Sequence, residues 1–337
     1  MYRCLQLARL GEYYVAPNPM VGAVLVGHVV GDEQGEDIIL GEGWHEQYGG
    51  PHAEPNCIRN AESAHPEGID YTSCTLYVSL EPCSHYGKTP PCAELIIRKG
   101  IGHVVIGMLD PNPQVAGRGV KMMQEAGVEV KVGVLEEECR RLNKRFNCLH
   151  TNHRPYVILK WAQTADGYID VARDSGTPLV ISTPLTKQLV HQQRAENMAI
   201  MVGTRTVLLD NPRLLNTRWS GRSPIRVTLD RHGVLSRDCR IFSDEAPTIV
   251  YRENTDWQYI LSDLANRNVH SILVEGGAIL LQHILDSGLY DEVHVEVSKY
   301  SLPQVDGQIV GGVAAPNYVF STSPTIIDGN KIYVEYR

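Results

Sequence analysis

The sequence predicts two consecutive α/β domains. Three observations point to this: a length of 337 residues, repeated alternation of short apolar strands with helical stretches, and one polar break near the middle. A chain of that length exceeds what a single core of ordinary size serves. The first half reads as a helix from Tyr2 to Leu10, with Leu5, Ala8 and Arg9 at helical spacing and Gly11 as the stop. A strand Val21–Val26 follows, then a strand ending near Gly43-Trp44, then a helix from about Ala53, where Pro55 fits the first turn. Thr75–Leu80 and His103–Met108 read as buried strands, helices start at Cys92 and near Gly119, and Val128–Val134 is a last strand. Helices of this length between strands imply a largely parallel sheet with helices on both faces.

A charged helix from Glu136 to about Phe146 leads into the polar stretch Leu149–Pro155, the expected linker. The domains expected are therefore 1–149 and 150–337. The second half restarts with the strand Tyr156–Trp161 and a helix over Leu185–Arg194, then strands Met198–Val202, Ile225–Leu229 and Thr248–Tyr251. A helix Tyr259–Asn266, a strand Ser271–Val274, a helix after Gly277, a strand Glu292–Val297 and a hairpin near Ile332–Tyr336 complete it.

Composition narrows the function. Apolar residues at 43% and charged ones at 21% are ordinary for a globular protein. A net charge of -8 with no basic stripe disfavours a nucleic-acid partner, while a small phosphorylated substrate needs only a few local arginines. No stretch approaches 18 consecutive apolar residues, so no membrane span is expected. The start, Met1–Ala8, reads as amphipathic helix rather than signal peptide. Eight cysteines are too sparse for a disulfide scaffold. A reducing compartment, the cytoplasm, is expected.

The chemistry lies in His52-Ala53-Glu54 and in Pro82-Cys83 and Pro91-Cys92, with eight residues between the cysteines. Each pair alone is common. Together they offer one imidazole and two thiolates at predicted helix starts and strand ends, which makes a three-ligand zinc site with one position open to water. The positive end of a helix dipole at Cys92 would favour thiolate. Glu54 carries an oxygen able to take a proton from that water. Nucleobase zinc deaminases share an H-x-E followed by P-C-x-x-C, and this chain departs from it in the longer cysteine spacing. The insert Ser84–Pro91 could belong to a substrate pocket. A structural zinc would need a fourth ligand, and neither Cys57 nor Cys74 is suitably placed. In the second half, Val202-Gly203-Thr204 and Val274-Glu275-Gly276-Gly277 are strand–glycine–helix junctions where a dinucleotide phosphate could sit, but they are not the G-x-G-x-x-G fingerprint.

Taken with these motifs, the sequence resembles the bifunctional deaminase–reductases of bacterial riboflavin biosynthesis. The matching segments are Pro17–Val24, His52-Ala53-Glu54, the run Glu81–Cys92, Asp110-Pro111-Asn112-Pro113, Gly203–Leu208, Asp210–Leu214 and Val274–Gly277. The resemblance implies an α/β fold in two parts: a cytidine-deaminase-like three-layer N-terminal domain and a dihydrofolate-reductase-like C-terminal domain. The first would hydrolyse the 2-amino group of 2,5-diamino-6-(ribosylamino)pyrimidin-4-one 5'-phosphate with one Zn2+ per chain. The second would use NADPH to reduce the ribosyl group to ribityl. Carried over by motif, Asn18, His45, His85, Lys88, Asp110 and Asn112 would line the deaminase pocket. Lys160, Arg194, Leu214, Arg218 and Glu275 would meet the reductase substrate, and Ala162, Gly203, Thr206, Asp210, Gly276 and Gly277 the cofactor. Relatives carry a polar residue and then a tryptophan after the position of Ser175-Gly176, where this chain has Thr177–Ser182. The resemblance also implies a homo-oligomer, dimer or tetramer, formed through the reductase domain. The alternative reading is a zinc deaminase of another base with a non-catalytic second domain.

Overall fold

The computed structural model describes residues 1–337 except 31–36, 87–89, 114, 175–176, 306–307 and 310. The chain divides into two compact units, Met1–Asn152 and His153–Arg337.

In the first unit the helices are α1 (Tyr2–Arg9), α2 (Ala53–Ala64), α3 (Cys92–Lys99), α4 (Arg118–Glu125), α5 (Glu136–Leu142) and α6 (Lys144–Asn152). The strands are β1 (Gly22–Gly27), β2 (Ile38–Trp44), β3 (Thr75–Leu80), β4 (His103–Met108) and β5 (Glu129–Val132), in spatial order β2-β1-β3-β4-β5. The expectation of a largely parallel sheet is corrected here. Only β3–β4 and β4–β5 run parallel, while β1 is antiparallel to both β2 and β3. The stretch between β1 and β2 is too short for a crossover helix, so the pair must be antiparallel.

Alternation along β1 sorts the two faces. Ala23 and Leu25 join the core beneath α2, α3 and α4, whereas Val24 packs with Cys4 and Leu7 of α1 on the other face. The approach of α2 to β2 is set by glycines. A Cβ at Gly43 would lie 2.3 Å from the Cys57 nitrogen, and one at Gly41 would lie 2.6 Å from the Cys57 oxygen.

The division between the units falls within the expected linker stretch, although 149–152 are still helical as the end of α6. The single helix expected from Glu136 to about Phe146 is instead interrupted between α5 and α6, at Asn143. That side chain is committed elsewhere: Oδ1 accepts from Met20 N at 2.8 Å and Nδ2 donates to Met20 O at 2.8 Å. It thereby holds the loop that carries Asn18.

In the second unit the strands are β6 (Tyr156–Gln163), β7 (Tyr168–Val171), β8 (Ala199–Val202), β9 (Ile225–Leu229), β10 (Thr248–Tyr251), β11 (Ser271–Val274) and β12 (Glu292–Val297). They continue as β13 (Gln304–Val305), β14 (Gln308–Ile309), β15 (Gly312–Ala314), β16 (Thr325–Ile327) and β17 (Asn330–Tyr336). The helices are α7 (Pro184–Glu196), α8 (Thr204–Asp210), α9 (Trp257–Asn266) and α10 (Ala278–Ser287). The main sheet has the order β10-β9-β8-β11-β6-β12-β17-β16, parallel as far as β12 and antiparallel beyond it. One face buries Val157, Leu159 and Trp161 of β6 with α9 and α10, and Ile200, Val202, Leu214 and Ile241 form a smaller core on another. Sequence periodicity missed the two-stranded pairings of β13–β14 and β7–β15, which are too short to show alternation.

Glu81, just after β3, is the anchor between strand and loop. It is buried, and its two oxygens accept from Asp110 N (3.1 Å), Gly117 N (2.9 Å), Gly119 N (2.9 Å) and Val120 N (3.3 Å). A Cβ at Gly119 would meet Pro82 O at 2.2 Å, so only glycine lets α4 reach this carboxylate. Glu81→Ala should lower the stability of the first unit by at least about 2 kcal/mol, because buried donors lose their acceptor. Differential scanning calorimetry reads this as an earlier first transition, and an unmoved transition would deny Glu81 the anchoring role.

Candidate functional site

In the first unit the site forms where three chain ends meet. His52 is the N-cap of α2, Cys83 follows β3 by three residues, and Cys92 opens α3. Their ligand atoms all lie within 4.8 Å of one another, and this is the one such group among the described residues. His52 Nδ1 is 3.7 Å from Cys83 Sγ and 3.4 Å from Cys92 Sγ. A tetrahedral zinc with ordinary Zn–S and Zn–N bonds spans about 3.5 Å between such atoms, so the triangle fits the ion. Cys57 and Cys74 stay outside it, with their thiols donating to Gly41 O and Asp70 O.

Before any metal charge is counted, the three groups already polarise one another. The hydrogen bond with Cys92 and contact with His52 hold the Cys83 thiol down to about 4, and Cys83 in turn raises His52 to about 9. Cys92 is pushed up, first by Cys83 and then by burial. The dipole argument for a Cys92 thiolate therefore lands on its neighbour: the first N–H of α3, from Cys92, is 3.3 Å from Cys83 Sγ and donates to it. Glu54 sits in the first turn of α2, almost fully buried, and its Oε2 has no hydrogen-bond partner. Burial raises its carboxyl to about 6. A buried, unpaired carboxylate oxygen is costly unless something else binds it.

His45 and Asn18 lie against this cluster. His45 Nδ1 is 2.8 Å from Pro51 O and its Nε2 is 3.0 Å from Asn18 Nδ2, with its ring 5.6 Å from that of His52. The carbonyl can only accept, which makes Nδ1 the donor and Nε2 the acceptor from Asn18. Asp110 accepts from Asn112 N at 2.8 Å, and burial raises its carboxyl against the pull of His150 and His85. His85 is exposed, and Lys88 lies outside the described residues. Sequence reasoning missed Glu81 and Asn143, because their partners are backbone groups of distant loops.

In the second unit a cavity of about 730 Å³ opens at the ends of the parallel strands. Lys160, Ala162, Gly203, Thr206, Asp210, Glu275, Gly276 and Gly277 line it. A Cβ at Gly203 would meet nothing nearer than Leu280 at 3.9 Å, so glycine here keeps the cavity open rather than allowing packing. Gly277 has φ +74°, a conformation that favours glycine, and it precedes α10. Volume and glycine cradle both suit a dinucleotide.

Arg194, Leu214 and Arg218 are placed differently. Arg194 forks onto Glu275 (Nε–Oε1 3.0 Å, Nη2–Oε2 2.6 Å) and donates to Leu215 O at 3.1 Å. Burial pushes the Glu275 carboxyl up, but Arg194 outweighs it and the net shift is downward. Leu214 has its side chain in the smaller core, and Arg218 is exposed. Lys160 is lowered by burial beside Glu275 and Glu296. Asp210 pairs with Arg173, which also binds Asp170 at 2.9 Å. The divergent segment Pro178–Ser182 forms part of the cavity wall.

Comparison with known proteins matches this geometry to a family. Residues 1–108 match the family model "Cytidine and deoxycytidylate deaminase zinc-binding region", and residues 155–318 match "RibD C-terminal domain". The chain is 38% identical to riboflavin biosynthesis protein RibD of Synechocystis, over 95% of this chain and 86% of that protein. To the Escherichia coli RibD it is 35% identical, over 88% and 86%. An Acinetobacter baumannii RibD structure superposes with a TM-score of 0.84 at 30% identity, over 99% of this chain and 96% of that one. A Thermotoga maritima structure, a diaminohydroxyphosphoribosylaminopyrimidine deaminase/5-amino-6-(5-phosphoribosylamino)uracil reductase, does so with a TM-score of 0.80 at 38% identity, over the same shares. With a zinc-deaminase unit followed by a reductase unit over nearly its whole length, the chain belongs to the RibD family of riboflavin biosynthesis enzymes.

Proposed function

We propose that the first unit hydrolyses the 2-amino group of 2,5-diamino-6-(ribosylamino)pyrimidin-4-one 5'-phosphate, and that the second reduces the ribosyl group of the product to ribityl. The observation that carries this reading is the three-ligand cluster with the orphaned Glu54 oxygen beside it. His52, Cys83 and Cys92 would hold the zinc. When bound there, zinc would lower the pKa of water to about 7 and so supply a nucleophile at neutral pH. Glu54 takes the proton of the attacking water and delivers it to the departing amine. Asn18 spends its amide N–H₂ on His45, which leaves its carbonyl to accept from the pyrimidine edge. Asp110 and Asn112 bind the ring or its sugar from the loop that Glu81 anchors, and His85 and Lys88 supply charge for the phosphate.

NADPH, when bound in the second cavity, would supply a hydride to the sugar C1'. Gly203, Gly276 and Gly277 would let it come close to the protein backbone, and Ala162, Thr206 and Asp210 would also contact it. Reduction at C1' opens the ring and requires a proton on the released ring oxygen. Lys160, beside Glu275 and with a lowered pKa, is suited to give it. Because the Arg194 fork is already spent on Glu275, its role is to hold that carboxylate; Arg218 is left for the phosphate and Leu214 for a backbone contact. The Pro178–Ser182 part of the divergent segment supplies no aromatic ring to the cavity wall, so cofactor contact there is mainly aliphatic.

Among the described residues no helix is long and apolar enough to cross a membrane. The eight cysteines form no disulfide, and two of them, Cys83 and Cys92, belong to the metal cluster, a usage that supports a reducing compartment such as the cytoplasm. Association through the reductase unit is supported by exposed Ile326 and Tyr336 on its outer strands. Light scattering on the purified chain should give a dimer or tetramer mass, and a monomer at micromolar concentration would reject that part.

Glu54→Gln should retain one zinc per chain by elemental analysis while deamination falls about 10²–10⁴-fold; deamination at the wild-type rate would remove Glu54 from the mechanism. Supplied with the deaminated pyrimidine, the same variant should still oxidise NADPH. If it cannot, and wild type cannot either, the reductase half of the reading fails while the deaminase half stands.

A further inference from the structure

Strand β12 carries polar residues at every second position, Glu292, His294 and Glu296, and pairs in parallel with β6. In that register His294 lies opposite Lys160 and Glu296 opposite Ala162. Glu296 is therefore the diagonal neighbour of Lys160 on the same sheet face, about 8 Å away between Cα atoms by ordinary strand spacing. Lys160 lines the reductase cavity, whereas Glu296 stands behind its wall. Glu296 is buried, and its carboxylate accepts from Thr186 Oγ1 at 2.7 Å, Asn330 Nδ2 at 2.6 Å and Ser182 Oγ. Ser182 belongs to the cavity wall, Thr186 to the first turn of α7, and Asn330 opens β17. Three separate segments meet on one side chain, and all three partners are neutral.

A buried carboxylate with neutral partners calls for a cation close by. The charges around Lys160 show which one serves. Glu275, just after β11, receives the Arg194 fork on both oxygens. Farther back on the shared face, Glu292 accepts from Tyr156 Oη at 2.6 Å and lies 2.8 Å from His294 Nε2, while His294 Nδ1 is 2.7 Å from Gln193 Nε2. On α7, His191 lies in the field of Arg194 and Glu275, and Lys187 lines the cavity. Across the cavity, Asp170 and Asp210 share Arg173. Arg194 and Glu275 thus offset each other, and Lys160 and Glu296 remain as the second pair of opposite charges. Burial lowers the pKa of Lys160 and Arg194 adds to the lowering, with Glu275 and Glu296 opposing both.

We propose that Glu296 is a positioning residue of the reductase: it is the counter-charge that holds Lys160 as an ammonium in the cavity, while its hydrogen bonds fix Ser182 and α7 around that site. This role rests on the reading that Lys160 protonates the released ring oxygen. Glu296 itself stays behind the wall and acts through Lys160. An ammonium donor works only below its pKa, so withdrawing the negative charge behind it cuts activity from the alkaline side.

The test uses the full chain supplied with NADPH and the deaminated pyrimidine. In Glu296→Gln the alkaline limb of the reductase kcat should move to lower pH by at least about one unit, the size of shift that a neighbouring opposite charge produces. Glu296→Asp keeps the charge and should keep the wild-type limb even where turnover falls. Acetylation of Lys160 by acetic anhydride, followed against pH by mass spectrometry, should show the same shift without turnover. A loss of rate that is uniform with pH in Glu296→Gln, with limb and acetylation profile unmoved, overturns the counter-charge and leaves Lys160 as the acid. NADPH oxidation at the wild-type rate in Lys160→Met removes Lys160 as proton donor, and the role of Glu296 falls with it. Should Glu296→Gln alone fail to fold, Glu296→Gln/Lys160→Met, with both charges gone, should recover the folded protein by circular dichroism. A double variant that stays unfolded overturns the proposal.

Discussion

The closeness with which α2 lies on β2 governs the first unit. Gly41 and Gly43 leave no room for a Cβ, so the helix rests on bare backbone. That contact sets where the helix begins, and the helix begins with His52 and Glu54. The ligand triangle has sides of 3.4 and 3.7 Å from the imidazole, and a metal site tolerates misplacement of only about 0.5 Å. A methyl group under the helix would lift it by more than that. The zinc chemistry thus depends on two residues that touch neither metal nor substrate.

A second principle recurs in both units, in which buried polar side chains fix the position of one element on another. Glu81 gathers four backbone N–H groups, and Asn143 clamps both backbone groups of Met20. In the second unit, Glu292, His294 and Glu296 share a sheet face with Ile158, Lys160 and Ala162. Helix α7 meets that face through Thr186 on Glu296, at 2.7 Å, and Gln193 on His294, also at 2.7 Å. Apolar side chains could cover the face with as much stability. What hydrogen bonds add is a single register, and Arg194, the residue after Gln193, meets Glu275 only in that register.

The amino-acid sequence made some of this visible and concealed the rest for physical reasons. Strands such as Thr75–Leu80 and Ser271–Val274 were legible because continuous apolar runs bounded by turns have few other uses. His52, Cys83 and Cys92 were legible because zinc accepts few residue types. The antiparallel setting of β1 was hidden, since periodicity carries no strand direction. Glu81 and Asn143 were hidden because their partners are backbone groups far along the chain, and such pairs leave no composition or spacing. The Arg194–Glu275 fork joins residues 81 apart, so each was visible as a charge and neither as a partner.

Asp210 illustrates how far a pairing in the protein limits a role at a site. The resemblance assigns it to the cofactor, yet the structure joins it to Arg173. The two are compatible. The contact uses Oδ1 and one guanidinium nitrogen, while a carboxylate has room for about four hydrogen bonds. Arg173 is also gripped by Asp170, whose other oxygen accepts from Leu179 N at 3.1 Å. The guanidinium therefore holds the Asp210 carboxylate in place. A lone carboxylate at the end of α8 would face the unfavourable end of the helix dipole and drift toward solvent. Arg173 offsets that field, so the ion pair is compatible with the contact that the resemblance implies for Asp210.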